Sequence, residues 1–256
     1  MRVTSCVARA AHKENEMTDT RALRTAIVGL LRCAATEDEL LLVSTADRDD
    51  AGSAERWAPK PTVAHNTEFK RQQVLRLEAV LQQQPPPEFA EINHACEESY
   101  RRYAEMSPAV ITDDGRRTTN DLVDALLRLT DADLTDPARH AWLRGRPIWL
   151  QIIVRGFWHP MGHDGDWYVA NDMVERGVAL RRNAVATAEY LRAPDAVRGM
   201  VWYSLACTYA VAGTTEMAVE ALEHAAALND DLRARIATEP DLEALRQERR
   251  VAALVG

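Results

Sequence analysis

His159 and His163 stand four residues apart in the segment Trp158-His159-Pro160-Met161-Gly162-His163. On a helix that spacing puts both imidazoles on one face, about one turn apart. Two neutral imidazoles so placed can chelate one divalent metal, as they do in helical zinc sites. The same spacing also suits a buried pair in which each ring bonds to a neighbour, and both chemistries stay open on spacing alone. Counting back from His159, Gly156, Ile152 and Ile148 recur on the same stripe, which directs the rings toward an apolar interior. Pro160, between the rings, removes one helical hydrogen bond and predicts a kink.

Helical periods run along the whole chain. Leu23, Ile27, Leu30 and Leu31 mark an amphipathic helix from near Thr20, and Leu40-Leu41-Leu42-Val43 either extends it or forms a second piece. A polar loop covers 47–55. A second helix opens near Pro61, carries Val74, Leu77 and Leu81 on one stripe, and stops at Pro85-Pro86-Pro87. A third helical stretch spans about 88–106, and Leu122, Leu126 and Leu129 mark a fourth before a connector at 131–145. Pro147 then opens the long helix that carries the histidine pair toward Glu175. Beyond Gly177, shorter segments are expected near 178–191, 197–212, 215–228 and 240–254. No convincing alternating strand is present, so the fold class is all-α.

Upstream of the pair lies Arg56-Trp57-Ala58-Pro59-Lys60-Pro61-Thr62-Val63-Ala64-His65. With Trp158 to His163, this stretch resembles the DinB/YfiT-like superfamily, over roughly residues 20 to 176. The resemblance implies an up-down four-helix bundle in which three histidines bind one divalent metal, usually zinc or nickel. Carried onto this chain, it makes His65, His159 and His163 the ligands. His94 and His140, both in polar, loop-like surroundings, are the alternatives to His65. The resemblance further implies thiol S-transferase or isomerase chemistry. A low-molecular-weight thiol such as mycothiol or bacillithiol would be the cosubstrate, and a small-molecule electrophile its acceptor. Three imidazoles leave coordination positions open, where a thiol or water would have a lowered pKa.

Several neighbours could shape such a site. Arg155, Trp158 and Trp167 are candidate pocket walls, although an aromatic beside a helical core is also ordinary packing. Glu68, one turn after His65, and Asp164 and Asp166 are candidates to orient the rings, and each also reads as a solvated charge.

The C-terminal region carries a different signal. Trp202-x-x-Leu205-Ala206-x-x-Tyr209 followed by Ala218-x-x-x-Leu222-x-x-Ala225 fits the tetratricopeptide repeat in residue type and spacing. Gly213 falls at the turn, and Asp230 stands where the closing proline would be. Only one repeat is clear. A single helix pair cannot bury its own apolar faces, so it must pack on flanking helices, on the first module or on a second copy. A protein- or peptide-binding groove, self-association and a stabilising extension are all expected roles. Cys207 reads as a small core residue.

Composition removes several classes. The 256 residues are 46% hydrophobic and 27% charged, the balance of an ordinary globular chain. No apolar run approaches the roughly 20 residues needed to cross a bilayer, so no membrane association is expected. The net charge of −8 argues against nucleic acid. Lysine occurs only at 13, 60 and 70, and we read the excess of arginine as a GC-rich bacterial genome rather than as function. Cys6, Cys33, Cys96 and Cys207 are scattered and form no CxxC pair, which fits a reducing, cytoplasmic setting. Residues 1–16 are polar and lack an apolar signal core; a disordered extension is expected there, with Met17 as the natural start. The division is then 1–16, a metal-binding bundle at 17–176, and tetratricopeptide-like helices at 177–256. Two functions compete: a metal-dependent DinB-like enzyme, or a non-catalytic interaction or stress-response protein whose repeat recruits a partner. A deep pocket at the histidines favours the first. Plugged histidines with an open groove near Trp202 and Tyr209 favour the second.

Overall fold

A computed structural model describes residues 19–44, 58–89, 103 and 105–256. The expectations for residues 1–16, the 47–55 loop, Trp57, His94 and most of the 88–106 helix lie outside the described residues. Within them every regular element is helical.

Helix α1, Thr20–Ser44, is continuous, so Leu40 to Val43 extend it rather than start a new piece. Its Leu23, Ile27, Leu31, Ala34 and Leu41 form one buried stripe. Helix α2, Pro59–Leu81, begins with prolines whose missing N–H groups cost nothing in a first turn. Unlike an ordinary amphipathic helix, α2 buries His65, Asn66, Thr67, Lys70, Gln72 and Gln73. Helix α3, Pro108–Arg128, is capped by the Ser107 hydroxyl, which accepts from the Val110 N–H, and buries the expected Leu122 and Leu126. The connector holds a short helix, α4 (Asp131–Thr135), closed by a reciprocal Thr130–Asp133 capping box.

The long histidine-bearing helix comes in three parts. Helix α5, Ile148–Ile153, passes into a π-helical turn at Val154–Trp158, and α6 continues from His159 to Ala170. The π turn sits immediately before Pro160, and the His159 N–H bonds to the Val154 carbonyl five residues back. A widened turn is how the helix accommodates a proline that can neither donate nor tolerate a close carbonyl behind it. It also adds a residue to the period. Ile148, Ile152 and Gly156 stay fully in the core, whereas His159, beyond the added residue, is half-buried. The straight-helix count that placed His159 on their stripe is corrected accordingly.

Helix α7, Val174–Tyr190, starts before Gly177 and runs across residues 176–177. Gly177 is therefore no break between segments. It is where α7 crosses α6: a Cβ there would stand 2.6 Å from the Gly165 carbonyl oxygen and 2.5 Å from Val169. Helices α8, Asp195–Val211, and α9, Thr215–Leu228, form a tightly packed antiparallel pair. Helix α10, Leu232–Thr238, follows. The single segment expected at 240–254 is instead a 3₁₀ turn at Pro240–Leu245 and a short helix α11 at Arg249–Val255.

Two apolar cores result. Helices α1, α2, α3 and α5–α6 enclose the larger, and α8 to α11 the smaller. Helix α7 supplies both, with Leu180, Ala184 and Ala188 on one side and Val185 on the other. Among the described residues no helix is long and apolar enough to cross a membrane.

Candidate metal centre

Helix α2 brings His65 against the pair on α6. His65 Nε2 lies 2.9 Å from His159 Nε2. One ligand nitrogen from each of His65, His159 and His163 falls within 4.8 Å of the others. The His159 and His163 rings meet edge to face at 4.4 Å between centroids, as do His65 and His163 at 4.9 Å. His65 is 2% exposed; the other two are half-buried. His140 lies elsewhere, its Nε2 3.0 Å from the Asp133 carbonyl oxygen, and takes no part.

Burial holds all three rings uncharged. It pushes His65 down to about 3 and His159 to about 2, with His163 adding to both shifts, and it lowers His163 as well. Neutral imidazole is the metal-ligating form. A tetrahedral ion with bonds of about 2.0–2.1 Å needs nitrogens roughly 3.3 Å apart, so small ring adjustments suffice and the donor set fits a divalent metal. Without metal, His65 and His159 bind more protons in the unfolded chain than in the folded one between pH 6.5 and about 3. The stability of chelator-treated protein is therefore expected to hold above about pH 6.5 and to fall as the pH drops below it. Urea midpoints taken at about pH 7, 6 and 5 check this; equal midpoints would contradict it.

Phe69 fixes the His159 ring. The two stack at 4.0 Å with planes 15° apart, and the Arg155 guanidinium lies over the Phe69 ring, 4.9 Å from its centroid. Arg155 also donates to Gln72 Oε1 at 3.3 Å, and burial, with Arg76 nearby, lowers it to about 10.

Beneath the imidazoles lies a buried ionic cluster. Lys70 Nζ donates to Asp38 Oδ2 at 2.6 Å, and both side chains are almost sealed from solvent. Asn66 Nδ2 donates to Asp38 Oδ1 at 2.8 Å and to Asp164 Oδ1 at 3.0 Å. Burial, reinforced by Asp38, pushes the Asp164 carboxyl well above the usual carboxylate range.

A cavity of about 770 Å³ opens on the other side of the rings. His159, His163 and Trp158 line one wall, and Val197, Met200 and Val201 of α8 face them. That volume is typical of small-molecule sites, and so is a mostly apolar lining with a few polar groups. The remaining candidates divide. Trp158 belongs to the wall and donates from Nε1 to the Ala184 carbonyl at 3.2 Å. Trp167 is buried against Tyr168, off the cavity. Glu68 turns to Arg71, at 2.8 Å, instead of to an imidazole. Asp166 sits at the cavity edge in an ion pair with Arg181.

Phe69, Lys70, Asn66, Asp38 and Arg181 escaped the sequence reading. One signal for some of them was present: extending the Val74 stripe back by fours gives Lys70, Asn66 and Thr62, polar residues where a structural helix places leucine. Compared with protein-family models, characterised proteins and solved structures, the chain has no match.

Proposed function

We propose that this chain is a metal-dependent enzyme of the DinB/YfiT-like kind. In this reading its first helices form an up-down four-helix bundle, and α8–α9 are a tetratricopeptide-like pair that closes the site. The observation that carries it is the convergence of three uncharged imidazoles, two of which, His159 and His163, line the wall of a large, mostly apolar cavity. His65, His159 and His163 would hold one divalent ion, zinc or nickel, with Phe69 and Arg155 setting the tilt of His159. When bound, the metal supplies a positive centre that favours a thiol as its thiolate. The apolar walls exclude water from that thiolate and hold an electrophile beside it.

The nucleophile comes from a cosubstrate, since among the described residues no thiol lines the cavity. The described cysteines are Cys33 and Cys207. Neither lines the histidine cavity, and burial pushes the Cys207 thiol up to about 12. The interaction-module reading has less support, because its recognition residues are engaged within the chain. Trp202 stacks on His224 at 4.7 Å and donates to Glu189 at 3.0 Å, and the buried Tyr209 hydroxyl accepts from Arg182 at 2.6 Å.

Elemental analysis of the purified protein is expected to find about one divalent metal per chain. Incubation with mycothiol or bacillithiol and 1-chloro-2,4-dinitrobenzene is expected to show thiol-dependent loss of the electrophile, abolished by chelation. A metal-free protein, or a rate indifferent to chelation, overturns the proposal.

A further inference from the structure

Arg181 reaches the cavity from α7. Its side chain is 14% exposed and lies across Gly162, between His159 and His163 on α6, where an added Cβ would stand 3.0 Å from Nη1. The absence of a side chain at Gly162 is what lets the guanidinium rest on the helix beside the imidazoles. Asp166 takes Nη2 at 2.5 Å, but that carboxylate is 61% exposed and shares its charge with solvent. The charged residues lining the cavity are Arg146, Arg181 and Asp166, one positive charge in excess, beside two uncharged rings. Behind those rings, Arg155 places further positive charge on the His159 side, while Lys70 is paired with Asp38. Within a chain of net charge −8, this cavity is locally cationic.

We propose that the cavity takes a carboxylate carried on an apolar body, with Arg181 as the specificity-determining residue that binds the carboxylate through Nη1, the nitrogen beside Gly162 that Asp166 does not take. Val197, Met200 and Val201 on α8 hold the apolar body. A guanidinium in an apolar, water-poor wall discriminates strongly in favour of anions, because a charge-assisted hydrogen bond there is roughly twice as strong as a neutral one. The proposal rests on the preceding section's assignment of the cavity as the substrate site, and it does not require the metal.

The test titrates the full chain calorimetrically with 5-phenylpentanoate and with 5-phenylpentylamine, before and after metal removal. The acid is expected to bind about tenfold or more tighter than the amine in both states. Arg181→Met should erase that preference while metal content is unchanged, and Arg181→Lys should keep part of it. Met200→Trp, which fills the facing wall, should weaken both probes. If Arg181→Met does not fold by circular dichroism, Arg181→Gln gives the same reading. The proposal is overturned if neither probe binds, if the amine binds as well as the acid, or if the preference survives in Arg181→Met. It is also overturned if the preference disappears on metal removal, which would assign the anion to the metal. A protein without metal that keeps the acid preference removes the metal reading and leaves this one standing.

Discussion

Lys70→Met is expected to cost the fold about 3–5 kcal/mol, the usual penalty for stripping one partner from a buried ion pair. Lys70 is fully enclosed and its ammonium lies 2.6 Å from an Asp38 carboxylate that is itself 5% exposed. Methionine fills nearly the same volume, so the loss is electrostatic rather than a matter of packing. Among the described residues Asp38 would keep the Asn66 amide, and Asp164, tied to the same amide, would lose the favourable charge of Lys70. In a chain of this size the melting temperature should fall by on the order of 10 °C. A double replacement, Lys70→Met with Asp38→Leu, should recover much of the loss, because no unpaired charge then remains buried. Thermal melts of the three proteins decide it. A single variant that melts with the wild type would mean the pair contributes nothing.

His159→Ala is the larger effect on function. His159 is the hub of the cluster: Nε2 lies 2.9 Å from that of His65, its ring meets His163, and Phe69 stacks on its face. Losing a partner that merely orients a ligand typically costs 10–100-fold in metal affinity. Removal of a ligand should exceed that, leaving about a hundredfold or weaker binding and two imidazoles unable to close a site. The fold should survive, since burial already keeps this ring uncharged at about 2 and alanine removes no buried charge. Competition titration with a chromogenic chelator reads the affinity, and circular dichroism the fold. An affinity within threefold of wild type would remove His159 from the ligand set.

The helical class could be read directly, because leucine and isoleucine at helical spacing recur from Leu23 to Leu222 and nothing alternates. Element ends were less legible. Gly177 looks like a break in one dimension, yet it serves a crossing whose other half, Gly165, is twelve residues away and invisible to local pattern. The histidine pair announced itself by spacing, and His65 entered only through resemblance. Distance decides such cases: His65 and His159 are separated by 94 residues and meet only when α2 packs on α6. Arg181 carries no local signal at all, since its position beside the rings depends on a bare stretch of the facing helix.

That α7 serves two cores limits how this chain can vary. A helix that offers Leu180 and Ala184 to one set of neighbours and Val185 to another cannot be cut at its midpoint without opening both. The last four helices are therefore no cassette to be swapped among proteins or grown by duplication. Any lineage that lengthened or exchanged them would have to redesign the same seventeen residues and, with them, the wall that shapes the cavity.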